Sequence, residues 1–185
     1  MRMSHMVQQL LTLSRVQHHN VQLAKQKIAA YQAMIDAISD IEFSAHEKRI
    51  ELELSGDEGI SIEANPQLLN ILLRNLLDNA IKYTPRGGRI SVRLGKEEAM
   101  LWLSIEDSGP GVSNEDYERI TQRFYRCVET AQAAEGSGLG LSIVQRIIRL
   151  HDADISFSKS ELGGLKVTLY FKLPKLTKKP SKKRR

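Results

Sequence analysis

Apolar residues recur every three to four positions over residues 29–45, with Tyr31, Met34, Ile35, Ile38 and Ile41 on one side. That spacing predicts an amphipathic helix. Residues 49–54 alternate apolar and polar instead and read as a strand, and Gly56 and Gly59 then turn the chain into a second short strand at 60–62. Asn65 followed by Pro66 is a helix start, with Asn as N-cap and Pro in the first turn. The helix it opens runs to about residue 82 and stops before Pro85, Gly87 and Gly88. Strands follow at 89–94 and 100–106, then a short helix at 114–121. Residues 126–137 have no clear period and read as a mobile loop. A helix over 138–150 and strands at 154–158 and 166–172, separated by Gly163 and Gly164, complete the pattern. Strands and helices mix without strict alternation, which predicts an α+β fold, a two-layer sandwich with helices on one face of a mixed sheet.

The first 16 residues place Met3, Met6, Val7, Leu10, Leu11, Leu13 and Val16 at roughly helical spacing. Such a helix has one apolar face and is too short to be stable alone, so it wants a partner. Residues 17–27 are mostly polar and suit a linker. Composition adds two constraints. No apolar run approaches the roughly 18 residues that span a bilayer, and no signal peptide is visible. The single cysteine, Cys127, excludes an internal disulfide and fits a reducing compartment. The net charge of +5 is carried by a tail: residues 175–185 hold seven of the 27 basic residues and no acid, leaving 20 against 22 in the rest. The tail reads as a disordered solubilising end, with contact to anionic lipid or nucleic acid as the sharper alternative. Nothing else in the sequence supports nucleic-acid binding.

Three elements carry candidate chemistry. Asn75, Asn79 and Lys82 lie four and three residues apart and share one helix face. The rest of that helix is rich in leucine, and buried asparagines need partners, whether a neighbouring backbone group or a ligand. Asp107-Ser-Gly-Pro-Gly111 follows a strand directly. Its glycines permit unusual backbone angles, and the carboxylate can accept from a ligand amino group, although turns of this composition are common. Gly136-Ser-Gly-Leu-Gly-Leu141 opens a helix, where backbone N–H groups and the helix dipole favour phosphate. It is neither a dinucleotide fingerprint nor a P-loop, because the flanking elements and the Lys-Ser/Thr pair are missing.

Taken in order, these elements resemble the sensor histidine kinase catalytic domain, within the ATPase superfamily that includes DNA gyrase. NLLDNAIKYTP looks like the N box, DSGPG like the first glycine box, RFYR at 123–126 like the F box, and GSGLGLSIVQRI like the second glycine box. The likeness covers residues 28–173, with 1–16 similar to the end of a dimerisation helix and 174–185 outside it. It implies the Bergerat-type ATP-binding fold, ATP and Mg²⁺ as cofactors, and phosphoryl transfer to a histidine. By resemblance Asn79 is the Mg²⁺ ligand, and Asn75 stands where hydrolytic relatives carry a Glu base. Lys82 faces phosphate, and Tyr83 lies against adenine or ribose unless it merely packs the helix end. Asp107 accepts from the adenine amino group, with Gly109 and Gly111 allowing close approach. Phe124 and Tyr125 anchor a lid, while Arg123 and Arg126 reach phosphate or are surface charges. Gly136, Ser137, Gly138, Leu139, Gly140 and Leu141 shape the phosphate-side loop. Catalysis would rest on Asn75, Lys82, Arg123 and Arg126.

The resemblance also implies partners: the protein's own dimerisation and phosphotransfer domain, and a response regulator whose Asp receives the phosphoryl group. The parent is expected to be a homodimer anchored in a bacterial inner membrane, with this region cytoplasmic. None of His5, His18, His19, His46 and His151 sits in the expected acceptor context, so the acceptor is expected outside this chain. A non-catalytic nucleotide-sensing module and a gyrase-like hydrolytic switch are the competing readings. Asn75 in place of Glu argues against the second.

Overall fold

The computed structural model describes residues 24–127 and 136–173. Five strands form a mixed sheet in the order β2 (Glu51–Gly56), β4 (Arg89–Glu97), β5 (Met100–Asp107), β7 (Leu165–Lys172), β6 (Asp154–Lys159). Only β2 and β4 run parallel; the other pairs are antiparallel. The register sets Val92 beside Ile105 and Ile105 beside Val167, and likewise Leu94, Leu103 and Leu169. These rows point to one face, because side chains alternate along a strand.

Helices α3 (Pro66–Tyr83) and α4 (Gly140–Leu150) lie on that face, and α1 (Ala30–Ser39) packs against α3. The leucine stripe of α3 (Leu69, Leu72, Leu73, Leu76, Leu77) and Ile143, Val144, Ile147 and Ile148 of α4 are all buried in one core with the sheet. The two-layer α+β sandwich expected from the sequence is the observed fold. Asn65 caps α3 as expected: its side chain accepts from the Leu68 N–H at 3.1 Å.

Several boundaries differ. The helix expected over 29–45 is two, α1 and α2 (Glu42–Glu47). The chain turns at Asp40 and Ile41, which brings Ile41 and Ala45 into the core while Ile35 stays 38% exposed. Residues 26 and 27, read as linker, belong to strand β1 (Gln26–Ala29), which pairs with β3 (Ser61–Ala64) and sets Ile28 against Ile62. A largely polar edge pair gives no alternation to detect. The helix expected over 114–121 is a single 3₁₀ turn, Asn114–Asp116, followed by turns. Helix α4 starts at Gly140 rather than 138 because Gly138 has φ +72°, outside the helical region. The expected N-terminal helix, most of the linker, the centre of the expected loop and the basic tail lie outside the described residues.

His151 ties the two main helices together. Its Nε2 accepts from the Asn65 N–H at 3.0 Å, and its Nδ1 donates to the Ile147 carbonyl at 2.8 Å. Burial, the dominant cause, depresses the imidazole pKa below its ordinary value. The neutral ring is the folded form, so its contribution is complete above the unfolded value of about 6.5 and is lost as pH falls from there toward the folded pKa. Urea midpoints measured from pH 7.5 down to 5.5 are expected to fall more steeply for the wild type than for His151→Leu. Parallel profiles would remove this role.

Candidate functional site

Helix α3 crosses the sheet beside the C-terminal end of β5 and carries Asn75, Asn79, Lys82 and Tyr83 along one side. Its last turn is held by a residue from the segment after α2. Lys48 Nζ donates to the carbonyls of Ile81 (2.7 Å), Lys82 (2.9 Å) and Thr84 (3.1 Å). An ammonium group at a helix C-terminus satisfies orphan carbonyls and opposes the negative dipole end. Lys48 thereby fixes the turn from which Lys82 and Tyr83 project.

Two adjoining compartments open between α3, α4 and the end of β5. The first, about 80 Å³, is mostly apolar, with Leu76, Ile105, Val167 and Leu141 on its walls and Asp107 at its base. The second, about 390 Å³, is polar and is bounded by Asn75, Asn79, Lys82, Ser137 and the glycines 136, 138 and 140. Asn79, Tyr83, Ile120, Tyr125 and Leu141 border both and mark the junction.

Asp107 is 6% exposed. Its Oδ1 accepts from the N–H groups of Gly109 (2.8 Å) and Leu165 (3.3 Å); among the described residues no hydrogen bond engages its other oxygen. Burial raises its pKa above the ordinary carboxylate value, and the two backbone bonds oppose that rise. The carboxylate rests on the turn between β6 and β7. A Cβ added to Gly164 would lie 2.0 Å from Asp107 Oδ1, so no other residue fits there without displacing the acid.

In the polar compartment, Asn75 Nδ2 donates to the Ile71 carbonyl at 2.7 Å. A Cβ on Gly140 would meet Asn75 Oδ1 at 3.2 Å and the Asn79 amide at 3.5 and 3.6 Å. Both asparagines therefore stand at the N-terminus of α4, whose first-turn N–H groups suit an anion. One half of the Asn75 amide is satisfied by its own helix, and its carbonyl oxygen faces α4. Lys82 Nζ lies 3.4 Å from the Tyr83 hydroxyl and 4.7 Å from its ring centroid, where a Cβ on Gly136 would collide with it at 2.0 Å. The phenol of Tyr83 is shifted upward chiefly by burial, with the Arg126 guanidinium acting against it.

The F-box-like residues divide. Tyr125 borders both compartments, its hydroxyl donates to Asp116 Oδ1, and Arg119 stacks 4.5 Å from its ring centroid. Arg126 lines the apolar compartment. Arg123 and Phe124 line neither, and Phe124 is 62% exposed. Phe124 meets the site through its backbone: its N–H donates to the Gly138 carbonyl at 3.0 Å. Leu139 is fully buried and belongs to the core, not to the compartment walls. Gly111, with φ +76°, lets the chain pass close to the Gly164 carbonyl. Lys48, the Gly163-Gly164 turn and the wall residues Val112 and Ile120 are parts of the site that the motifs did not reveal. The Gly-Gly pair read only as a turn, and a lysine between a helix and a strand carries no signal of its own.

An apolar slot with an acid at its base, opening onto a glycine-lined helix N-terminus, is the site of a nucleotide-binding ATPase domain. The chain belongs to the family described as histidine kinase-, DNA gyrase B-, and HSP90-like ATPases, whose profile matches residues 64–175. It is 40% identical over 164 residues to sensor protein QseC of Escherichia coli O157:H7, covering 88% of this chain and 35% of that protein. It is 36% identical over 182 residues to sensor protein kinase PmrB of Pseudomonas aeruginosa, covering 94% and 36%. The chain thus spans about a third of these relatives. Its fold matches the solved cytoplasmic segment of histidine kinase QseC with a TM-score of 0.63 and 29% identity, covering 94% of each chain.

Proposed function

We propose that this chain is the catalytic domain of a sensor histidine kinase, which binds Mg-ATP and passes the γ-phosphoryl group to a histidine on the dimerisation domain of its parent. The observation that carries this reading is the pairing of compartments: Asp107 at the base of an apolar slot, and Asn75, Asn79 and Lys82 under the N-terminus of α4. Adenine fits the slot, with its amino group donating to the unengaged oxygen of Asp107. The phosphates reach the helix N-terminus, where Lys82 is a point charge beside them. Asn79, a neutral oxygen donor at the junction, suits Mg²⁺, which keeps water and phosphate oxygens as most of its ligands. When bound, the ion neutralises charge between phosphate oxygens. The residues facing the phosphates position and neutralise, and Asn75 offers no base to activate water. That chemistry favours transfer to a protein nitrogen: the bond from the γ-phosphorus to the β-bridging oxygen breaks as a bond to the imidazole forms.

His151 is no acceptor, because it is buried with both ring nitrogens engaged. In this reading residues 28–173 form the catalytic unit, residues 1–16 end the dimerisation region, and a response regulator Asp is the final acceptor. The parent is a homodimer held at the bacterial inner membrane by segments other than these, with this domain in the cytoplasm. No helix among the described residues is long and apolar enough to cross a membrane.

Calorimetric titration with ADP and a non-hydrolysable ATP analogue, with and without Mg²⁺ and with GTP as control, tests the reading. Saturable, adenine-selective binding strengthened by Mg²⁺ is expected. Affinity should fall on acidification, beginning above the ordinary carboxylate range, because a protonated Asp107 loses the acceptor that adenine needs. In Asp107→Asn both the selectivity and that acid limb should disappear. Equal binding of GTP by the wild type would overturn the adenine assignment, and no binding by folded protein would leave a nucleotide-independent interaction module.

A further inference from the structure

Glu106 and Asp107 are consecutive, so their side chains leave β5 on opposite faces of the sheet. Asp107 serves the nucleotide compartment. Glu106 lies on the face away from the helices, yet it is 0% exposed. A buried carboxylate is costly unless it is paired and hydrogen-bonded, and here both oxygens are engaged. Oε1 meets Lys166 Nζ at 3.2 Å and the Arg93 guanidinium, and Oε2 accepts from Ser160 Oγ at 3.2 Å. The two cations and their hydrogen bonds outweigh burial and keep its pKa below the ordinary value.

Ser160 is the hub of the β6–β7 turn. Its Oγ also accepts from the Leu162 N–H at 3.0 Å. Its own N–H donates to the Gly164 carbonyl at 2.9 Å, and its carbonyl accepts from Gly163 at 3.0 Å. The other side of this turn holds Asp107. The Gly164 N–H donates to the Asp107 carbonyl at 3.0 Å, and the Leu165 N–H donates to Asp107 Oδ1. The turn is thus gripped from the outer face by Glu106 and presses on the acid at the inner face.

We propose that Glu106 and Ser160 are positioning residues for adenine recognition: through the Gly163-Gly164 turn they hold the Leu165 N–H on Asp107 Oδ1 and so aim the second oxygen into the apolar compartment. This rests on the reading of Asp107 as the adenine acceptor. Neither residue touches the compartment that holds the ligand, so their effect is indirect and specific to the base.

Calorimetry of Ser160→Ala, Ser160→Thr and Glu106→Gln with ADP and GDP over a pH series tests it, alongside urea midpoints. Ser160→Ala is expected to weaken ADP about 3- to 10-fold, the loss of one or two hydrogen bonds, with little change for GDP. Its acid limb should move to higher pH, because the carboxylate loses backbone support. Ser160→Thr, which keeps the hydroxyl, should restore both. A folded Ser160→Ala protein with wild-type ADP affinity and an unmoved acid limb overturns the proposal, as does equal weakening of ADP and GDP. Should Ser160→Ala fail to fold, Glu106→Gln decides by the same two readouts, since it keeps the shape and loses the charge that Arg93 and Lys166 fix. Failure of the Asp107 reading is a separate result: Asp107→Asn would keep the preference for ADP over GDP.

Discussion

Replacing Asn79 with alanine is expected to weaken ADP binding in Mg²⁺ by about 100-fold, the scale of removing a single preorganised electrostatic contact in a partly buried site. The change should be confined to metal-dependent binding. Asn79 borders both compartments, and among the described residues no hydrogen bond engages its amide. Truncation therefore breaks no hydrogen bond among the described residues, and the urea midpoint should stay near that of the wild type. Without Mg²⁺, wild type and variant should bind ADP about equally. Asn75→Ala gives the contrast. It loses the 2.7 Å bond to the Ile71 carbonyl within α3, so its effect should be smaller on the metal dependence and visible in stability. Unchanged affinity of Asn79→Ala in Mg²⁺ would remove Asn79 from the metal site and shift attention to the carbonyl oxygen of Asn75.

What the sequence revealed and what it concealed follow from how far each signal reaches. The N-cap at Asn65, the leucine stripe of α3 and the alternation over residues 49–54 are local patterns, each read within a few residues. The spacing of Asn75, Asn79 and Lys82 places them on one face whatever surrounds them. Contacts made across the fold left no such trace. Lys48 reaches the end of α3 from 33 to 36 residues away in sequence, and Ser160 meets Glu106 across 54. Gly164 reads as a turn residue, yet it is held to glycine by a carboxylate from β5. The F-box stretch shows the converse. Its four residues look alike as motif members, but the positive φ of Phe124 throws that ring outward while Tyr125 and Arg126 turn in. Motif order located the site; which members line it was decided by backbone angles that the sequence does not display.

The largest effect on stability is expected from Lys48→Met, which keeps the aliphatic stem and removes the ammonium. Three carbonyls at the end of α3 lose their donor together. Hydrogen bonds to a charged group are worth about 1.5–3 kcal/mol each, but these share one donor and are not additive. Water can reach the freed carbonyls in part, since Lys48 is only half-buried, and the net loss should be about 2–4 kcal/mol. Thermal unfolding is expected to drop by roughly 6–15 °C for a domain of this size. Burial already lowers the Lys48 pKa, so desolvation of the ammonium offsets part of the gain and places the loss below the sum of three bonds. Function should suffer beyond stability, because the same carbonyls belong to the turn that carries Lys82 and Tyr83. At a temperature where the variant remains folded, ADP affinity should fall several-fold, and Lys48→Arg should recover part of both losses. A Lys48→Met protein with the wild-type melting temperature would show that solvent alone satisfies the end of α3, and the helix would then be held in place by its leucine face.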